Sequence, residues 1–240
     1  MALYLFYSAI FLPSMSSARV LLCLSLCLCI FTASAETEED GRLWFNVNAV
    51  GKLPAQGWQW YAELQPRWRE EGSHIDQVII RPAVFYKLNS QTSLWLGYAH
   101  VTTYPDGKKS FDENRAWQQL LHNFEPMGSI SLQSRTRLEQ RFIENSDETG
   151  YKIRQMIRLT MPSQLSPKLQ WVVYDEYFMN LNDTDFGARQ GFDQNRAFLG
   201  VNWAFAPEFK LEAGYLNQYV NTQNNDLSNH ALSGTINLSF

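Results

Sequence analysis

Residues 129–144 read SISLQSRTRLEQRFIE, and the alternation in this stretch decides the fold. Ile130, Leu132, Ser134, Thr136, Leu138, Gln140 and Phe142 share one parity, while Ser131, Gln133, Arg135, Arg137, Glu139 and Arg141 share the other. Successive side chains of an extended chain point to opposite faces, so the segment reads as a strand with one mostly apolar and one charged face. Residues 151–161 repeat the pattern, with Tyr151, Ile153, Ile157, Leu159 and Met161 opposing Lys152, Arg154 and Arg158. Residues 58–69 set Trp58, Trp60, Ala62, Leu64 and Trp68 against Gln59, Glu63, Gln65, Arg67 and Arg69. Residues 195–205 set Ala197, Leu199, Val201, Trp203 and Phe205 against Arg196, Gly200 and Asn202.

Further strands are predicted over 42–50, 77–88, 93–103, 113–124, 168–181, 208–221 and 228–240, and no long stretch has a 3.6-residue period. Short connections (89–92, 125–128, 163–167, 206–207) alternate with longer polar ones (104–112, 145–149, 182–192, 222–227). Trp58, Trp60, Trp171, Trp203 and Phe205 fall near the short turns; Trp68, Tyr177, Tyr215 and Tyr219 fall near the long loops. Two aromatic levels and alternating connection lengths are features of an outer-membrane barrel. The expected fold is all-β: a single antiparallel up-and-down transmembrane β-barrel of 10–12 strands. The runner-up is a soluble barrel of lipocalin type, with the apolar face turned inward.

The N-terminus reads as an address. Arg19 precedes the apolar run 20–31, then Ala33-Ser34-Ala35 and the acidic Glu36-Thr37-Glu38-Glu39-Asp40. This is the layout of a cleaved signal peptide, residues 1–35, with Met15 an alternative start and 36–240 as the barrel domain. The apolar run is short for a spanning helix. All three cysteines, Cys23, Cys27 and Cys29, lie in this leader, which leaves the rest without disulfides or thiolate metal sites. The expected destination is the outer membrane of a Gram-negative bacterium, reached through the periplasm.

The formal net charge of -4 offers no basic surplus for nucleic acid. Strand parity instead collects charge on the non-lipid face: Glu63, Arg67, Arg81, Glu113, Arg115, Arg135, Arg137, Glu139, Arg141, Arg154, Arg158, Glu176, Arg196 and Glu212, with Lys87 and Lys152 on the same parity. The plain reading is a bracing Arg–Glu network. The sharper reading is a small porin-like channel with a basic lumen that passes small anionic solutes. The two are compatible.

An enzyme needs a nucleophile or activated water with His and acid partners. His74, His100, His122 and His230 show no triad or metal spacing, so no catalytic residue, metal or cofactor is expected. A barrel lipid hydrolase or protease, and a structural or adhesive barrel, remain the alternatives. Asp183, Asp185 and Gly187 in the loop 182–192 lack the full acidic pattern of a calcium loop. The last strand carries Leu232, Gly234, Ile236, Leu238 and the terminal Phe240 on one face, which resembles the insertion signal read by the barrel-assembly machinery. Lipid and lipopolysaccharide are the other expected partners.

Three features sit awkwardly. Pro66 and Pro82 fall inside predicted strands, where bulges or strand ends are expected. Asp175 has outward parity, which suggests a bulge. The segments number about eleven, whereas bacterial barrels are even, so 42–50 is an extra segment or half of a miscounted pair.

The runs ENRAWQQL (113–120), RTRLEQR (135–141), DEYF (175–178), DQNRAFLG (193–200) and GYLNQ (214–218) resemble a bacterial family of exported proteins catalogued as a domain of unknown function and regarded as outer-membrane barrels. The resemblance spans most of the chain after the leader. It implies fold and location and supplies no activity, ligand or catalytic residue.

Overall fold

The computed structural model describes residues 37–223 and 225–240. The expected signal peptide, 1–35, lies outside the described residues. Eleven strands follow one another: β1 (Thr37–Lys52), β2 (Trp58–Arg69), β3 (His74–Lys87), β4 (Thr92–Thr103), β5 (Phe111–Asn123), β6 (Ser131–Ile143), β7 (Thr149–Pro162), β8 (Leu169–Asn180), β9 (Gly191–Ala206), β10 (Phe209–Val220) and β11 (Asp226–Ser239). Each pairs with its sequence neighbours, and β1 pairs with β11 to close the barrel. Closure pairs the edge strands that an open sheet would expose.

The parity of the sequence survives intact. Leu199 and Trp203 are 56% and 46% exposed, whereas Arg137 and Glu139 are 5% and 1% exposed. The greasy side chains therefore point out and the charges in, opposite to the lipocalin arrangement. Outward polar groups satisfy one another: Thr136 Oγ1 donates to Gln155 (2.6 Å), Gln155 Nε2 to Ser134 Oγ (2.9 Å), and Gln118 pairs with Gln140 (3.1 Å). Asp175 lies in unbroken register between Ile157 and Ala197, so no bulge accommodates it. It stays on the outer face and accepts two hydrogen bonds from Asn195 Nδ2 at 2.9 and 3.0 Å.

An odd strand count forces the first and last strands to run parallel, and β1 and β11 do so from Thr37↔Asp226 to Val50↔Ser239. The segment 42–50 is thus neither extra nor half of a missed pair; it is most of a wall strand. Inward amides fasten this seam, with Asn46 Nδ2 to Thr235 Oγ1 at 3.2 Å and Asn48 Nδ2 to Asn237 Oδ1 at 3.0 Å. The odd count also places Thr37 and Ser239 at opposite ends of the barrel.

Neither proline sits at a bulge or a strand end. Pro82 pairs with Ala62 on β2, but the ladder to β4 skips from Ile80↔His100 to Ala83↔Gly97 without changing register. Pro66 pairs with Val78, and the ladder to β1 skips from Trp44↔Arg67 to Val47↔Leu64. A residue without an N–H leaves a gap on one side only, which a closed wall tolerates. The register shift in this region comes after Arg67, where Asp76 is passed over and turns to meet Arg42 at 2.7 Å.

Connection lengths alternate less than the sequence suggests. The nominally short turn 124–130 matches the long loop 104–110 at seven residues, and 70–73 has four. The aromatic levels are clearer. Trp58 packs on Tyr86, Trp60 on Phe240 and Trp203 on Phe205 near the short turns, while Tyr177, Phe192 and Tyr219 stack in series near the long loops.

Glycines make room for rings inside. A Cβ on Gly97 would lie 2.2 Å from the Trp117 ring, and one on Gly200 would lie 2.4 Å from the Ala213 carbonyl oxygen. Gly97→Val therefore has to displace Trp117. The expected loss is roughly 1–3 kcal/mol, as for other overpacked cores, read as a lower urea midpoint of the detergent-solubilised barrel.

Candidate functional site: the charged lumen

All fourteen residues of the expected charge network lie on the inward parity of the barrel, and their environments divide them into groups. Glu113 receives Arg115 (Nε 2.7 Å, Nη2 2.9 Å) and Arg141 (Nη2 3.1 Å). Glu139, 1% exposed, receives Arg154 Nη1 at 2.7 Å and has Arg115 at 3.5 Å. Glu176 receives Arg135 Nη2 at 2.7 Å and Arg154 Nε at 2.9 Å. Glu63 receives Arg81 and, at 2.7 Å, the Tyr61 hydroxyl. Arg158 grips Glu212 with both terminal nitrogens. Arg137 donates twice to Gln119 Oε1, at 2.9 and 2.7 Å.

Two members have no acid partner. Arg67 donates to Gln65 (2.8 Å) and Gln77 (3.1 Å), and Arg196 reaches Gln194 at 3.5 Å. Lys87 is exposed at the short-turn end. Lys152 is buried and pairs with Asp193 at 2.7 Å, which also accepts from Asn180 at 3.0 Å.

The lumen is not lined by charge alone. Ile79, Ala83, Ala99, Val101 and Trp117 form one buried apolar cluster inside the wall of β3–β5. Trp44, Val172, Phe198, Leu216 and Ala231 form another, with Tyr174 against it. The arginines lie on these rings: Arg137 over Trp117 (4.2 Å), Arg154 over Phe178 (4.5 Å), Arg67 over Trp44 (4.2 Å), and Arg196 over both Trp44 (4.9 Å) and Phe178 (4.6 Å). A guanidinium is planar and weakly hydrated, so stacking on an aromatic face recovers part of its lost hydration. The rings went unnoticed in the charge pattern, although parity marks them: Phe178 shares a face with Glu176, and Phe198 with Arg196.

What remains empty is small. A cavity of about 150 Å³ is lined by Trp44, Asn46, Arg67, Arg81, Arg137 and Arg196, among others. A wider vestibule of about 410 Å³ opens at the short-turn end beside Gln91, Asn123, Gln133 and Arg158. At the long-loop end the segment 181–190 sends the Phe186 ring over Gly150, 5.6 Å from the Arg141 guanidinium. That loop is tied down by its acids: Asp183 accepts from the Gln190 N–H (2.8 Å), Asp185 takes the Ser146 hydroxyl, and Glu148 accepts the Asp185 N–H (2.6 Å). These acids are spent on the loop's own structure, and no His/Cys/Asp/Glu group able to hold a metal occurs among the described residues.

The histidines do not converge. His100 lies on the outer face of β4, with Asn114 at 3.0 Å and Asp112 at 3.6 Å. His74 meets Glu70 at 2.9 Å on the surface, His122 meets Thr92 at 2.9 Å, and His230 contacts Tyr215. Phe240 donates its N–H to Val50 O at 2.9 Å and ends the seam on the outside.

Burial sets the worth of each ion pair. Glu176→Gln leaves Arg135 and Arg154 facing a neutral amide in the barrel interior, at an expected cost of about 3 kcal/mol. Glu212→Gln strips a more exposed pair and should cost about 1 kcal/mol or less. Urea denaturation in matched detergent checks the ranking; equal losses would contradict it.

Residues 41–229 match the family described as Protein of unknown function (DUF2490). An uncharacterized protein of Methylorubrum extorquens is 38% identical over 222 residues, covering 89% of this chain and 94% of its own. Among solved structures the chain is similar to OmpTdeltaL8, a loop L8 deletion mutant of OmpT, an outer membrane protein of Vibrio cholerae. The TM-score is 0.40 at 14% identity, and the match covers 74% of this chain and 57% of that one. The extent of the family match and the identity to the relative settle the family: the chain belongs to DUF2490.

Proposed function

We propose that this barrel resides in the outer membrane and is a narrow channel that prefers small anions. The observation that carries the reading is the imbalance of enclosed charge: nine arginines of the network face five glutamates, in a chain whose overall formal charge is -4. A low-dielectric wall focuses such an excess, which attracts anions and repels cations. The outward apolar belt between two aromatic levels supports the membrane location. Insertion through the assembly machinery, with Phe240 as part of the signal, belongs to the same proposal.

Conduction through this lumen needs side-chain movement. Trp117, Phe178 and Glu139 are at most 2% exposed, and the Phe186 ring sits against Gly150 at the long-loop end. Ions pass only when guanidinium–ring stacks part, so currents should be small and intermittent compared with the open aqueous channels of much larger barrels. The same packing favours a second reading, a non-conducting structural barrel whose loops engage partners.

Bilayer recordings separate the two. Reversal potentials under a KCl gradient should show chloride preference, reduced in Arg135→Gln/Arg137→Gln, and Phe186→Ala should raise the fraction of time spent open. Absent currents in all three proteins would leave the structural barrel. Orientation is checked by cysteine labelling, since residues 37–240 contain no cysteine. An impermeant maleimide should label Glu39→Cys and Asp185→Cys on intact cells but Ser90→Cys only after lysis. The reverse pattern would invert the barrel.

A further inference from the structure

Arg67 and Arg196 are 7% and 9% exposed, and neither has a carboxylate within ion-pair distance among the described residues. Each lies on the ring of Trp44. Both line the 150 Å³ cavity, whose walls carry six guanidiniums and two carboxylates. Glu139, just behind, offsets one more through Arg154. A clear positive excess therefore surrounds a small space within the lumen.

Residues lining that space also carry unspent donors. The Nε atoms of Arg67, Arg81 and Arg196, Nη1 of Arg137 and Nε1 of Trp44 are buried and donate to no protein acceptor. Buried donors almost always find acceptors, and buried charges almost always find counter-charges. Water can accept the hydrogen bonds but leaves the charge excess in place. An oxyanion meets both needs, and guanidinium forks match its oxygens two at a time.

We propose that this cavity is a binding site for a small, multiply charged oxyanion of phosphate or short dicarboxylate size, held chiefly by Arg67 and Arg196, which the Trp44 ring supports from below. The chamber is too small for a lipid headgroup with its chains and is separated from lipid by the wall, so the ligand is a free solute. The proposal rests on the anion-channel reading for the solute's way in. It sharpens that reading from a general anion preference to a discrete resting place within the lumen. A solute so held blocks or gates its own path.

The test is calorimetric titration of the detergent-purified protein with inorganic phosphate, and separately with succinate, at constant ionic strength in chloride. Saturable binding of one equivalent is expected. Affinity should fall at least tenfold in Arg67→Gln and in Arg196→Gln, partly recover in Arg67→Lys, and stay unchanged in Lys109→Gln on the loop 104–110. Heat-modifiable gel migration confirms that each variant is a closed barrel. Any glutamine variant that fails to close is replaced by the lysine variant at the same position, Arg67→Lys or Arg196→Lys, which keeps the charge but loses the fork and should weaken binding severalfold.

Absence of binding to the closed wild-type barrel overturns the site, and so does binding that survives Arg67→Gln/Arg196→Gln. Either result leaves the channel reading to its own bilayer test. Binding without any current would uphold the site and remove the channel.

Discussion

Nine guanidiniums enclosed in a closed sheet have to be solvated by the protein itself, and most of the interior follows from that requirement. Carboxylates meet part of it: Glu113, Glu139 and Glu176 each serve more than one arginine. Side-chain amides such as Gln119 and Gln65 meet more. Flat rings beneath Arg67, Arg137, Arg154 and Arg196 supply the rest. The rings in turn need space, and Gly97 and Gly200 yield it by presenting bare backbone. Charge, aromatic packing and glycine placement are thus one arrangement, and altering any of the three disturbs the others.

The wall obeys a second requirement, that almost no backbone donor or acceptor be left unpaired where water is absent. An odd number of strands meets it by a parallel seam, stapled inside by Asn46–Thr235 and Asn48–Asn237. The prolines meet it differently. Each removes a donor from one ladder while the neighbouring ladder continues in register. On the outside, polar residues that parity directs away from the lumen find each other across strands, as Asp175 does with Asn195.

Function follows from what these solutions leave over. The carboxylates do not cancel the guanidiniums, and the shortfall concentrates at Arg67 and Arg196 beside the empty chamber. On the proposed reading, the charges that brace the wall and the charges that attract solute are different members of one network. Arg115 and Arg154 each meet two carboxylates, whereas Arg67 and Arg196 have rings and amides but no acid.

About eleven extended segments, and which of their side chains share a face, were legible in the sequence, because side-chain direction in a strand depends only on parity. The same parity would have revealed Trp117 and Phe178 as lumen residues beneath the arginines. Other features were not legible. Whether 42–50 closes the barrel, which arginine lacks an acid, how Asp76 is re-aimed and how Phe186 reaches Gly150 all depend on contacts across strands. Those contacts join residues such as Trp44 and Arg196 that are far apart in the chain. Pattern along a chain reports which face a residue takes, but register, shear and closure decide whom it meets there, and these are properties of the assembled sheet.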